Sequence, residues 1–478
     1  MRVMRGPGLC FVAVLALSGA AREARADEPV AAREPSLMSE TAEITTVADA
    51  FDKDDPFDLN LVLGFTQSWK SAKIRRETQL QQNGLYGAPG QPAGFIPATE
   101  NIASYSSSMS VLNVGADVGI YHDLALILRF PVILSWSQSL GDLNGSSAVA
   151  PQRLADPSGG QLFSVPFQSP TRSGIDYISA GLDWAIFNQQ RDWTKPTWVI
   201  GVEGRLAVGA PLHACQQVSG TNTCPNPDGT PGNRDPGISR GYDTIVAKTV
   251  WSRRFGYIEP YSGFWVQADF PNSSSDYGKW NPQQDLDRTP PLQGSFALGL
   301  EVVPYEAREQ YQRLSADFRF KGTYHSPGRE YSELFDALGS SQAASLRTPN
   351  PASYTLNSAG KSVADPNAEN VYFTGITEQQ AYGSFTLSTA ATWQAGQYIK
   401  FTLGGAFTYA QSHLITAADV CTPNGNTSLA AAGSCVQGNT VQGVPNPDHR
   451  DVIDLPGHRF SVDDTTIVDL YLMGVVMF

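Results

Sequence analysis

Charged side chains set at every second position are the residues in this chain best placed to do chemistry. Arg313, Asp317, Arg319 and Lys321 alternate with Leu314, Ala316, Phe318 and Phe320. Asp117 and Arg129 lie in similar runs, as do Asp183, Glu203, Arg205, Glu259, Asp269, Glu301, Lys400 and Asp469. Period two sends the charges to one face of a strand and the apolar residues to the other. The charged face then needs an aqueous or ion-paired interior. Most of the acids lie on the earlier runs, whereas Arg313, Arg319, Lys321 and Lys400 come late. That segregation predicts one basic wall able to favour an anionic solute; the alternative is pairing across neighbouring strands that fills the interior.

Catalytic arrangements are poorly supported. The histidines are His122, His213, His325, His413, His449 and His458. Two of them adjoin a serine, as His325-Ser326 and Ser412-His413, but sequence neighbours on a strand point to opposite faces. There is no phosphate-cradling glycine loop, H-E-x-x-H or C-x-x-C. The expectation is a non-enzyme without metal or cofactor. A formal net charge of −13 argues against a nucleic-acid partner. Cys215 and Cys224, and Cys421 and Cys435, form two local couples in Gly-, Pro- and Asn-rich stretches. In an oxidising compartment they predict two loop-closing disulfides rather than a four-cysteine metal site.

The elements that must position these groups are strands. Residues 1–26 have the basic start, short apolar core and Ala24-Arg25-Ala26 site of a secretory signal peptide, with Cys10 lost alongside it. Residues 27–56 are acidic and are expected to form a periplasmic linker, with a short helix over Ser39 to Phe51. Asp52, Asp54 and Asp55 lack the spacing of a calcium loop. From 57 to 478 the alternation recurs in about twelve runs. None approaches the roughly eighteen consecutive apolar residues of a membrane helix.

Long and short connections alternate between the runs. Short ones fall at His122, Gln189 to Lys195, Arg253 to Gly256, Glu306 to Gln310 and Gln394 to Gln397; long ones follow Trp69, Gln138, Ala210, Phe270, His325 and His413. Aromatics gather at both ends, with Trp136 among those expected at the loop end. This pattern predicts an all-β, transmembrane antiparallel up-and-down barrel with short periplasmic turns and long extracellular loops. In the first short hairpin, the two apolar faces predict Tyr121 opposite Ala125 and Asp117 opposite Arg129.

The last run ends on the final residue. Phe478, Val476, Gly474, Leu472, Leu470 and Val468 share a face, with Asp469 opposite. A chain that stops on an aromatic in such a strand resembles the closing strand of bacterial, Gram-negative outer-membrane β-barrels. The resemblance implies residence in the outer membrane among its lipids, and a Phe478 signal for the barrel-assembly machinery. It implies either a narrow porin-like channel for small solutes or a plugged barrel anchoring a trans-envelope assembly for polysaccharide export or motility. Some barrels of this kind are lipid hydrolases, which is the third expectation.

Overall fold

A computed structural model describes residues 42–52, 55–82, 94–142, 154–156, 160–232, 234–273, 275–277, 289–358, 362–422, 435–437 and 440–478. Residues 1–26, expected to be a signal peptide, and part of the acidic segment lie outside the described residues. Twelve antiparallel strands close into a barrel: β1 Leu59–Gln82, β2 Gly94–Tyr121, β3 Leu124–Gly141, β4 Tyr177–Phe187, β5 Thr197–Ala207, β6 Tyr242–Ser252, β7 Ile258–Pro271, β8 Gln293–Ala307, β9 Gln312–His325, β10 Tyr382–Gly396, β11 Ile399–Ala410 and β12 Phe460–Met477. Each pairs with its sequence neighbour, and β12 returns to β1. Closure leaves no open sheet edge, which is what a strand-built membrane span requires.

The apolar set faces outward as the alternation demands. Leu63 is 58% exposed and Leu472 53%, whereas Val475 and Met477, of opposite parity, are buried. Leu59 and Phe478 exchange backbone hydrogen bonds of 3.1 and 2.9 Å, so the chain's last residue completes the seam. Trp193, Tyr257, Tyr305 and Trp393 are exposed by the short turns and Phe270 and Tyr409 near the loop-side strand ends, consistent with two interfacial girdles, whereas Trp69 is exposed in the middle of β1. Trp136 departs from that expectation. It packs against the buried Leu212 and Tyr242 cluster, under the Arg172 guanidinium 5.7 Å from its ring.

Two other expectations are corrected. β1 and β2 run well past Trp69, leaving only residues 83–93 between them. The serines of Tyr105 to Ser110 hid the strand, because polar residues on both faces erase the alternation. The first hairpin has a shifted register: Gly119 faces Ala125, Asp117 faces Ile127 and Gly115 faces Arg129. A bulge at Ile120 then brings Tyr121 opposite Leu124, and Tyr121 turns outward at 60% exposure.

At the extracellular end the loops fold inward as a cap. Leu154, Leu162, Leu334, Leu338, Leu346 and Ile453 are almost fully buried with Ile74, Ile102 and Phe460 from the strand ends. Two short helices sit in it, α1 Phe335–Gly339 and α2 Ala344–Arg347, with α3 Asp451–Asp454 from the last loop. Cys215 is bonded to Cys224 and Cys421 to Cys435. Each bridge closes a short loop, a constraint worth on the order of 2–3 kcal/mol. Peptide mapping without reduction should recover these two pairs and no peptide joining one couple to the other.

Candidate functional site: the lumen and its two closures

The inward faces carry the charges, mostly in pairs. Asp117 and Arg129 meet at 2.5 Å despite the shifted register, because the long guanidinium reaches diagonally to the next strand. Asp183 binds Lys248 at 2.5 Å, and Glu203 binds Arg205 at 2.8 Å. Gly201 makes room for the Asp183–Lys248 pair; a Cβ there would lie 2.1 Å from the Asp183 carboxylate. On β9, Asp317 and Arg319 are 3.3 Å apart. Tyr261 donates to Asp317 and accepts from Arg319 Nε at 2.9 Å. Asp469 accepts from Ser68, and Asp269 from Thr244. Glu259, Glu301 and Arg313 are buried, with Ala42 against Glu259 and Arg313 near Glu301. Lys400 is also buried and lines the cavity described below, whereas Lys321 lies 6.0 Å from the Trp265 ring centroid.

The expected basic wall is therefore largely neutralised by partners on the same or neighbouring strands. Lys248, absent from the sequence-based set, points inward because Asp243 turns aside to accept the Ala207 N–H at 2.9 Å. The Asp117–Arg129 pair is a third exposed on the arginine side. A double-mutant cycle with Asp117→Ala and Arg129→Ala should give coupling of no more than about 1 kcal/mol; a larger value would mean the pair is dry.

The acidic segment supplies what the strand pattern missed. From Ala42 it lies inside the periplasmic end instead of in solvent. Ala42, Thr45, Ala48 and Ala50 are at most 4% exposed. Ile44 and Val47 pack on Ala185, Val199 and Val250 beside Trp265. Thr45 hydrogen-bonds Ser252 at the end of β6 (2.8 Å), and the Ala50 N–H donates to His122 in the first turn (2.9 Å). The segment thus bridges two turns across the opening. Among the described residues of this stretch only Glu43–Thr45 forms a turn of 3-10 helix, in place of the expected helix to Phe51; backbone pairing to the barrel rim holds Ala50 extended. Its chain passes so close to β2 that a Cβ on Gly119 would lie 1.7 Å from the Asp49 carbonyl oxygen.

Between this segment and the wall is a cavity of about 250 Å³. Glu43 and Val47 form one side, Asn60, Arg129, Lys248 and Lys400 others. The Asn60 Oδ1 atom is buried without a hydrogen-bond partner among the described residues.

The cap above is fastened by buried cations. Arg172 donates to both carboxylate oxygens of Asp336, at 2.8 and 2.7 Å, with the two side chains 1% and 4% exposed. Asp336 also accepts the Cys215 N–H at 2.9 Å, which ties the first disulfide loop to α1. Arg76 reaches the Val452 carbonyl at 2.9 Å and Arg450 the Val371 carbonyl at 2.9 Å, so the cap joins several loops. Burial pushes Asp454 up to about 8 although two backbone N–H groups donate to it. Burial likewise raises Glu330 to about 7. Both folded values exceed the ordinary ones, so their contribution is complete in acid and lost as pH rises toward 8. Hydrogen-exchange protection at α3, with the intrinsic base-catalysed rate divided out, should fall from pH 5 to 9, and Asp454→Asn should flatten that dependence.

The histidine–serine couples do not form. The His325 ring stacks on Tyr382 at 4.3 Å, and Ser326 binds the Leu292 N–H. The His413 Nδ1 meets the Gln411 carbonyl, while Ser412 donates to Asp463.

A closed barrel, apolar outside and charged within, defines the class: this is an outer-membrane β-barrel. No family profile matches the chain, and no curated protein is significantly similar in sequence. Among solved structures it is similar to TodX, the monoaromatic hydrocarbon channel of P. putida (as a deltaS2 mutant; TM-score 0.33, 9% identity, over 93% of this chain and 94% of that one). It is similar also to a Pseudomonas aeruginosa FadL homologue (0.31, 9%, over 87% and 90%) and to the Escherichia coli outer-membrane protease OmpT (0.23, 7%, over 87% and 95%). Likeness at this level carries nothing about solute or mechanism.

Proposed function

We propose that the protein is a narrow outer-membrane channel for small solutes, closed at its periplasmic end by its own N-terminal segment. The observation that carries this reading is the charged cavity inside the barrel, walled on one side by a stretch of chain rather than by a strand. A segment held by a few backbone bonds and short apolar contacts can leave without breaking the sheet. The experiment is conductance in a planar bilayer, comparing the full mature chain with a variant lacking residues 27–50. The full chain should conduct in rare bursts and the variant steadily. Equal silence from both would overturn the channel.

One observation favours a second reading. The cap has its own apolar core and a dry Arg172–Asp336 pair, as a permanently closed barrel would. Such a barrel would display loops or anchor a trans-envelope assembly, and silence in the bilayer would select it. The assembly machinery as a partner of Phe478 belongs to the same proposal. Deleting Phe478 should lower the amount of assembled barrel, measured by heat-modifiable gel mobility.

A further inference from the structure

Among the described residues, the cavity beside the N-terminal segment is lined by three carboxylates and three cations: Glu43, Asp117 and Asp183 against Arg129, Lys248 and Lys400. Two of the cations lie in pairs that glycines allow close to the wall. Gly115 stands opposite Arg129 in the ladder, and a Cβ there would lie 2.8 Å from the Arg129 side chain. Gly201 clears the same room for Asp183 and Lys248.

The pairs leave donors over. Arg129 uses Nη1 three times, on the Asp117 carboxylate and on the Ala116 and Leu128 carbonyls. Its Nη2 and Nε have no hydrogen-bond partner among the described residues, and the side chain is a third exposed. That edge carries the two parallel N–H groups that match a carboxylate. Glu43 lines the same cavity from the N-terminal segment; it is exposed and makes no hydrogen bond or ion pair among the described residues. Much of the remaining wall is apolar, with Val47, Val62, Ile127 and Val475. A solute of one sign meets as many like charges here as opposite ones, so its lost hydration is poorly replaced. A zwitterion satisfies both signs at once.

We propose that this cavity binds a small zwitterion, an amino acid with an apolar side chain: its carboxylate on the Nη2 and Nε edge of Arg129, its ammonium on Glu43, its side chain on the apolar wall. This rests on the channel reading above and adds the solute class to it. The size agrees, since a cavity of about 250 Å³ equals the liquid volume of roughly eight waters. A branched aliphatic amino acid occupies a space of that order.

Equilibrium dialysis of the full mature chain in detergent, with binding to empty micelles subtracted, tests this. The labelled probes are L-leucine, 4-methylpentanoate, which lacks the ammonium, and 3-methylbutylamine, which lacks the carboxylate. Leucine should bind about tenfold tighter than either analogue. Glu43→Gln should weaken leucine about tenfold and leave 4-methylpentanoate unchanged. Asp117→Leu with Arg129→Met removes a whole ion pair and strands no charge. It should weaken leucine and 4-methylpentanoate alike and leave the amine unchanged. Leucine binding no tighter than its analogues, or Glu43→Gln binding leucine as the parent does, would overturn the proposal. Should the double variant fail to assemble, Glu43→Gln still decides, because Glu43 is exposed and its loss breaks no hydrogen bond or ion pair among the described residues. Steady conductance from the variant lacking residues 27–50, with no leucine bound by the full chain, would sink this proposal and leave the channel standing. Silence from that variant would sink the channel itself, with the dialysis still deciding the site.

Discussion

Asp336→Ala is expected to destabilise the extracellular cap by about 3–5 kcal/mol, because it leaves the Arg172 guanidinium buried without its counter-charge. The carboxylate accepts from both terminal nitrogens of Arg172 and from the Cys215 backbone, so three hydrogen bonds are lost together. Arg172→Met with Asp336→Leu should cost much less than Asp336→Ala alone, since no charge is then stranded. Limited proteolysis of the loops, followed with temperature, would measure the difference while the barrel stays folded. If the single and double variants release the loops at one temperature, the pair is wetter than its 1% and 4% exposures show.

The second large effect is expected from Gly119→Val. A side chain at this position must occupy the space of the Asp49 carbonyl, with the nearest atom only 1.7 Å from the new Cβ. The obstacle is backbone, so no rotamer change relieves it, and the N-terminal segment has to move. Its dihedrals suit an ordinary strand residue, and valine favours strands, so β2 itself should tolerate the change. The variant should then conduct like the chain lacking residues 27–50. Wild-type conductance from a correctly assembled Gly119→Val barrel would mean that the segment is not the periplasmic closure.

The barrel was legible because lipid imposes a rule on every second residue, and twelve runs obey it. Leu59 to Phe65, Leu124 to Leu134 and Ile467 to Phe478 show it most clearly. The set of charges expected in the lumen was read from the same parity. What escaped was of four kinds. Strand ends beyond the membrane carry no such rule, so the serines before Ser110 concealed the length of β2. The bulge at Ile120 costs one residue and leaves no trace in composition, which is why the hairpin register slipped while the Asp117–Arg129 contact survived it. The Glu43–Ala50 stretch has no periodicity because it touches protein on several sides, and its acidity resembles that of a solvated linker. The apolar Ile44 and Val47 between polar neighbours were the available signal. The cap was illegible for a different reason: its core is assembled from single residues of distant loops, such as Leu162, Leu338 and Ile453.

The position of the lumenal N-terminal segment in the chain bears on how the molecule is made. The segment precedes β1, and β1 meets β12, the last strand, at the seam. Until those two strands zip together, the lumen is open along its whole side and the segment can settle against β6 and β7 laterally. Once they join, the only route in or out is end-on through a narrow rim. Loading of the segment before the seam closes is therefore the expected order. A barrel refolded without residues 27–50 and then given that stretch as a free peptide should fill far more slowly than the intact chain does, even where the final affinities are alike.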